Sequence, residues 1–235
     1  MSLSPDPDAP LALIPARGGS KRLPGKNLLP FQGKPMIVWT IDAALGSGLF
    51  SRVLVSTDDP EIARVSAEAG AEAPFLRAEH GDDHAPVSAA TLHALDQAER
   101  QWGRLPEAVV QLFACCPLRH AGHIQDAWDA FRRAGCDFQI SAFRPSAVNP
   151  WAACTVDADG VPTRLHPQAY TARTQDLPPL YLPTGAIWIA RVAALREVGS
   201  FYGPGHRYHP MPWEAAIDID DAEDLRLADV IAATA

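Results

Sequence analysis

At 235 residues, 47% of them hydrophobic, the chain is long enough for one domain with an ample core. Its formal net charge of −8 speaks against a nucleic-acid or bilayer partner, both of which select a basic surface, and no apolar run is long enough to span a membrane. The start has no basic, apolar secretion signal, so residues 1–10 read as a disordered leader, and four irregularly spaced cysteines fit a reduced, cytoplasmic protein better than a disulfide scaffold or a zinc site.

The first apolar strand is Leu11–Pro15, and a basic glycine-rich run, Ala16 to Asn27, follows it directly. Gly18, Gly19 and Gly25 let the backbone approach a ligand and turn its N–H groups inward, while Arg17, Lys21, Arg22 and Lys26 supply positive charge. No Asp or Glu occurs from Ala9 to Ile41 in an otherwise acidic chain. That local reversal of sign points to a small polyanionic ligand. The run lacks the Gly-Lys-Ser/Thr of a Walker loop and the Gly-x-Gly-x-x-Gly of a dinucleotide fold. Lys34 either adds a charge beside the ligand or is a solvated residue at a helix start.

Further along, strand-like runs at Val53–Ser56, Ala108–Phe113, Phe138–Phe143 and Gly185–Ile189 alternate with helical spacing at Met36–Leu45, Glu61–Ala69, Val87–Trp102 and Ile124–Arg133. Asp58-Asp59-Pro60 reads as a helix start. The alternation predicts an α/β fold with a mostly parallel sheet covered by helices on both faces. A proline-rich segment, 149–183, breaks the rhythm. Trp151–Val156 and Val161–Leu165 around Asp157-Ala158-Asp159-Gly160 predict an inserted β-hairpin arm on a domain spanning 11–235.

Near the end stands Ala216-Ile217-Asp218-Ile219-Asp220-Asp221. An extended Ala216–Asp220 points Asp218 and Asp220 to one face and both isoleucines to the core. Two hard carboxylates on one face suit Mg²⁺ shared with phosphate oxygens. Asp221, Glu223 and Asp224 suit the N-terminus of a last helix. A basic glycine loop and a carboxylate pair together fit chemistry on a nucleoside triphosphate.

The wording of these motifs, with Gly33-Lys34-Pro35, Val-Ser-Thr-Asp-Asp at 55–59, Pro-Phe-Leu-Arg at 74–77 and Gly185-Ala186-Ile187, resembles the acylneuraminate cytidylyltransferases, the CMP-sialic acid synthetase group. The likeness runs from Leu11 to about Ala228. It implies a nucleotidyltransferase, Rossmann-like fold, Mg²⁺ dependence, and transfer of CMP from CTP to a nonulosonic acid with release of pyrophosphate. By the same likeness, Ala16, Arg17, Gly18, Gly19, Ser20, Lys21, Lys26, Asn27 and Arg77 bind CTP. Arg17, Lys21, Asp218 and Asp220 are catalytic, with the two aspartates holding the metal. The 149–183 arm becomes a homodimerisation insert whose Arg173 and Gln175 lie near the sugar.

The resemblance also has departures. Where sialic-acid enzymes read Gln-Pro-Thr-Ser-Pro-Leu-Arg, this chain has Phe113-Ala114-Cys115-Cys116-Pro117-Leu118-Arg119, without the amide or the hydroxyls. A pocket losing hydrogen-bonding groups prefers a less polar sugar. Phe113, Cys115 and Cys116, with Thr184, are therefore candidate sugar contacts, and the segment is more similar to the pseudaminic acid cytidylyltransferases. Asp82-Asp83-His84 and Arg173–Leu177 lean the same way, whereas Thr184–Ile189 leans to the sialic and legionaminic versions. A 3-deoxy-octulosonate cytidylyltransferase and a non-catalytic nucleotide-binding module stay open as alternatives.

Overall fold

The computed structural model describes residues 4, 6, 9–77, 87–145 and 148–234; the Asp82–His84 motif lies outside them. In chain order these residues form β1 (Leu11–Pro15), a short pair β2 (Pro30–Phe31) and β3 (Lys34–Pro35), α1 (Met36–Ser47), β4 (Arg52–Ser56), α2 (Pro60–Glu68) and α3 (Val87–Trp102). Then come β5 (Ala108–Gln111), α4 (Ala121–Ala134), β6 (Phe138–Phe143), β7 (Cys154–Val156), β8 (Pro162–Arg164), β9 (Leu182–Arg191), α5 (Val192–Val198), β10 (Arg207–Pro210) and α6 (Ala222–Ala232). The central sheet has the order β10-β6-β9-β5-β1-β4.

Its pairings are parallel except those of β9, which is antiparallel to both β5 and β6. Sequence alternation predicts the parallel strands but not the reversal of β9. The reason lies in the connection. A parallel neighbour needs a crossover, usually helical, and the described residues between 144 and 181 hold only the small arm and single turns. The chain leaving β6 therefore returns beside it as a hairpin partner, with Phe143 opposite Leu182.

Apart from the exposed edge strand β10, both faces of the sheet are buried, which explains why the inner strands read as apolar runs. Ala12, Ile14, Val53, Val55 and Val110 pack with Ile37 and Ile41 of α1, Ile62 of α2, and Ile124 and Phe131 of α4. Leu11, Leu13, Leu54 and Val109 pack on the other side with Ala94 and Leu95 of α3 and Leu195 of α5. A smaller cluster joins Phe31, Met36, Cys115, Ile219 and Ala228, seating α6 under the carboxylate segment.

Three expectations shift. Ala9 and Pro10 are buried, and Ser51 Oγ donates to the Ala9 carbonyl at 3.0 Å, so the packed chain reaches back into the predicted leader. Trp151 lies in a 3-10 turn, not a strand; its amide donates to the Asn149 side chain and its indole to the Pro178 carbonyl, which trims the hairpin to β7 and β8. Ala216–Asp220 is not a sheet strand either: Glu214–Ala216 is a 3-10 turn, and the extended residues after it are tied down by Ile219 N–H donating to the Cys115 carbonyl at 2.8 Å. The final helix starts as expected, with Asp221 accepting from the Glu223 and Asp224 amides.

Candidate active site

From β1 the chain runs outward to β4, then passes back across β1 to β5. Loops beyond the C-terminal ends of β1 and β5 therefore diverge and leave a crevice, the usual ligand position in such sheets. One wall is the glycine loop after β1. The other is the loop after β5, from Leu112 to Arg119. The segment from Ile217 to Asp220 bridges them.

Gly25 turns the glycine loop at φ 64, a left-handed conformation that side chains rarely adopt, and starts a 3-10 turn at Lys26–Leu28. Asn27 is buried and its amide donates to the Arg17 carbonyl at 2.9 Å, so it staples the two ends of the loop together. Gly18 N–H donates to Asp58 Oδ1 at 2.8 Å.

The early cations and the late aspartates meet. Lys26 Nζ donates to Asp220 Oδ1 at 2.8 Å and to the Ile219 carbonyl at 3.1 Å, and Arg22 reaches Asp220 Oδ2 at 2.5 Å. Arg17, Ser20, Lys21, Arg22, Lys26 and Asp220 line one cavity of about 310 Å³. Burial opposes ionisation of Asp220, but Lys26 and Arg22 outweigh it and hold the carboxyl below its usual range. Asp218 behaves in the opposite way. Burial pushes its carboxyl up, the Cys115 thiol hydrogen bond and Lys26 oppose that, and its Oδ1 is buried without a hydrogen-bond partner among the described residues. A buried carboxylate oxygen left unpaired is costly unless something else completes it. Among the described residues no three His, Cys, Asp or Glu side chains form a self-sufficient metal cage.

The family model described as Cytidylyltransferase matches residues 11–174. The chain belongs to the cytidylyltransferase family. It is 32% identical over 222 residues to the pseudaminic acid cytidylyltransferase of Campylobacter jejuni, covering 94% of this chain and 95% of that one. It is likewise 32% identical to the CMP-N,N'-diacetyllegionaminic acid synthase of Legionella pneumophila, covering 93% and 94%. Against the N-acylneuraminate cytidylyltransferase of Streptococcus agalactiae it is 32% identical, covering 92% of this chain but 51% of the longer relative. A solved CMP:2-keto-3-deoxy-manno-octonic acid synthetase complexed with CTP shares the fold at TM-score 0.70 and 19% identity, covering 96% of this chain and 99% of that one.

On this cytidylyltransferase, the second wall is built by packing. The Phe113 ring lies on Gly185, where an added Cβ would come within 2.2 Å of it, and against Trp188 with ring centroids 5.3 Å apart. Cys115 sits beside Asp218 and Lys26. Two expected sugar contacts are placed differently. Cys116 is fully buried, and Thr184 donates its hydroxyl to the Ala216 carbonyl at 2.7 Å; both shape the wall from behind. Arg173 and Gln175 are exposed on the arm, where Arg173 pairs with Asp176 at 3.0 Å, and neither lines the loop cavity. Lys34 pairs with Asp42 and lies over the Trp39 ring, which makes it structural.

Sequence reasoning missed the buried network behind the wall. Arg119 is 1% exposed, donating to the Ala186 carbonyl at 2.7 Å, the Phe113 carbonyl at 3.3 Å and the Thr40 hydroxyl at 2.6 Å. The available signal was Thr40, a polar residue on the apolar face of α1.

Proposed function

We propose that this chain transfers CMP from CTP to the anomeric hydroxyl of a nonulosonic acid, pseudaminic acid above all, and releases pyrophosphate. The observation that carries the reading is the contact of Lys26 with Asp220 across one cavity lined by four further loop residues. The Gly19 amide, with Arg17, Ser20, Lys21 and Lys26, takes the triphosphate, while the Gly18 amide, expected to join it, is already donated to Asp58. Ala16 and Arg77 face the cytidine side. Positioning and charge neutralisation then do most of the catalytic work.

Asp218 and Asp220 would hold Mg²⁺. The orphaned Asp218 oxygen and the hardness of both carboxylates fit that ion, which commonly takes one or two carboxylates and completes its shell with phosphate and water oxygens. When bound, it supplies Lewis-acid polarisation of the α-phosphate. Arg22 and Lys26, now on Asp220, transfer to phosphate oxygens as the nucleotide arrives.

For the sugar, the side chains from Phe113 to Cys116 offer no amide or hydroxyl, which favours an acceptor with deoxy and acylamino groups. The equal identity to the Legionella relative keeps legionaminic acid as a second reading. A CMP-transfer assay over pseudaminic, legionaminic and N-acetylneuraminic acids separates them. Pseudaminic acid is expected to lead in kcat/KM by about tenfold or more. CTP binding with no pyrophosphate from any of the three would return the protein to a non-catalytic nucleotide-binding role.

We also infer a homodimer through residues 149–183. Val156, Val161, Leu165 and Tyr170 of the arm are between 56% and 69% exposed, and a lone two-stranded hairpin is marginal in water without a surface to pack on. In light scattering, Val156→Asp with Leu165→Asp is expected to convert a dimer into a monomer; a parent chain that is already monomeric removes the inference. CTP use and four free cysteines support a cytoplasmic location.

A further inference from the structure

We propose that Asp58 is a positioning residue of the nucleotide site, fixing the glycine loop through the Gly18 amide and opposing the charge of the buried Arg77. The inference rests on the reading of that loop as the triphosphate cradle.

β1 and β4 pair in parallel up to Pro15 opposite Ser56, and Ala16 N–H still donates to the Ser56 carbonyl at 2.9 Å. Beyond that point the backbones part. At the next step Gly18 N–H turns to the side chain of Asp58 instead, at 2.8 Å. Asp58 thus extends the ladder past its last backbone rung, where the chain must leave the sheet to form the loop.

The neighbouring residues make this clasp rigid. Asp59 Oδ1 caps α2 by accepting from the Glu61 and Ile62 amides at 2.7 and 3.3 Å. The same side chain lies against Gly18, where an added Cβ would stand 2.7 Å from Asp59 Oδ2. Gly18 is therefore pressed on the first turn of α2 by one aspartate and hydrogen-bonded by the other. A helix tied to the core through Ile62 serves as the template for the loop.

Arg77 supplies the second half. Its amide donates to the Thr57 carbonyl at 2.7 Å, its side chain is buried, and its Nε has no hydrogen-bond partner among the described residues. Burial disfavours this cation, Arg17 disfavours it further, and Asp58 is the charge that opposes both. Asp58 is thus the counter-charge that keeps Arg77 in place before a polyanion arrives.

Calorimetry of CTP binding, with steady-state kinetics and melting curves, tests this on the full chain. D58N keeps an acceptor for the Gly18 amide and removes the charge; D58A removes both. CTP affinity is expected to fall about tenfold in D58N and about a hundredfold in D58A. The KM for CTP should rise more than kcat falls, with the D58N chain still folded at the assay temperature. If D58A fails to fold, D58N carries the test alone. A parent that binds CTP while the folded variants match it overturns this inference only, and so does an affinity loss that merely tracks unfolding. A parent that binds no CTP overturns the functional reading and this inference together.

Discussion

Asp218→Ala and Asp220→Ala are each expected to lower pyrophosphate release from CTP by about a thousandfold, a loss of about 4 kcal/mol in transition-state stabilisation. The two should differ in stability. Asp218 has a raised carboxyl pKa in the folded chain, caused first by burial and then by the charge of Asp220, against the Cys115 thiol and Lys26. An acid whose folded pKa lies above its unfolded value costs stability at neutral pH and returns it as pH falls through the raised value. Removing it should leave the melting temperature unchanged or raise it. Loss of activity with retained or improved stability is the signature of a group kept for function. Asp220 has the opposite sign: Lys26 and Arg22 hold it ionised, so its replacement strands two cations. Its stability cost falls mainly on Lys26, which is part-buried, because the Arg22 pair is largely exposed. A coupled pyrophosphate assay with parallel melting curves checks both variants, and near-parental turnover in either would remove the metal role assigned to it.

What the sequence made legible follows from how local each signal is. The strand Leu11–Pro15 and the helix Val87–Trp102 keep their sequence-predicted bounds, because apolar periodicity and burial express the same fact there. The glycine loop was readable from charge and composition, and its partnership with the late aspartates from the chemistry that the two motifs share, but not the direct pairing of Lys26 with Asp220. Other features were hidden because they depend on distant partners. β9 reverses direction only because the segment before it lacks a crossover helix. Asp58 and Asp59 look alike in sequence, yet Asp59 caps α2 while Asp58 is drawn to an amide 40 residues earlier. Thr184 and Cys116 belong to the wall motif by position, but packing turns them into its backing. Cys115, their neighbour, stays beside the carboxylates because its carbonyl holds Ile219.

Arg119→Met is expected to destabilise the protein by about 3 kcal/mol and to lower its melting temperature by about 6–12 °C. The side chain is the largest fully buried one among the described residues, and its guanidinium fork serves three acceptors on separate elements: Thr40 of α1, the Phe113 carbonyl after β5 and the Ala186 carbonyl of β9. Methionine fills much of the volume but takes the donor from the Ala186 carbonyl and the Thr40 hydroxyl, at about 1–3 kcal/mol each, while the Phe113 carbonyl keeps its bond from Thr40. The relief of a desolvated cation offsets part of that loss, since burial already pushes Arg119 below an ordinary guanidinium. Arg119→Lys should rescue little, because a point ammonium cannot span three divergent acceptors. The damage should also reach the site. Thr40 donates in turn to the Phe113 and Ala114 carbonyls, so the network fixes the loop whose next residue, Cys115, holds Ile219 and lies on Asp218. Turnover at a temperature where Arg119→Met is fully folded should therefore fall more than CTP affinity does, because the cradle on β1 is untouched while the carboxylates lose their seat. Parental turnover in the folded variant would separate the network from the chemistry and leave it a purely structural strut.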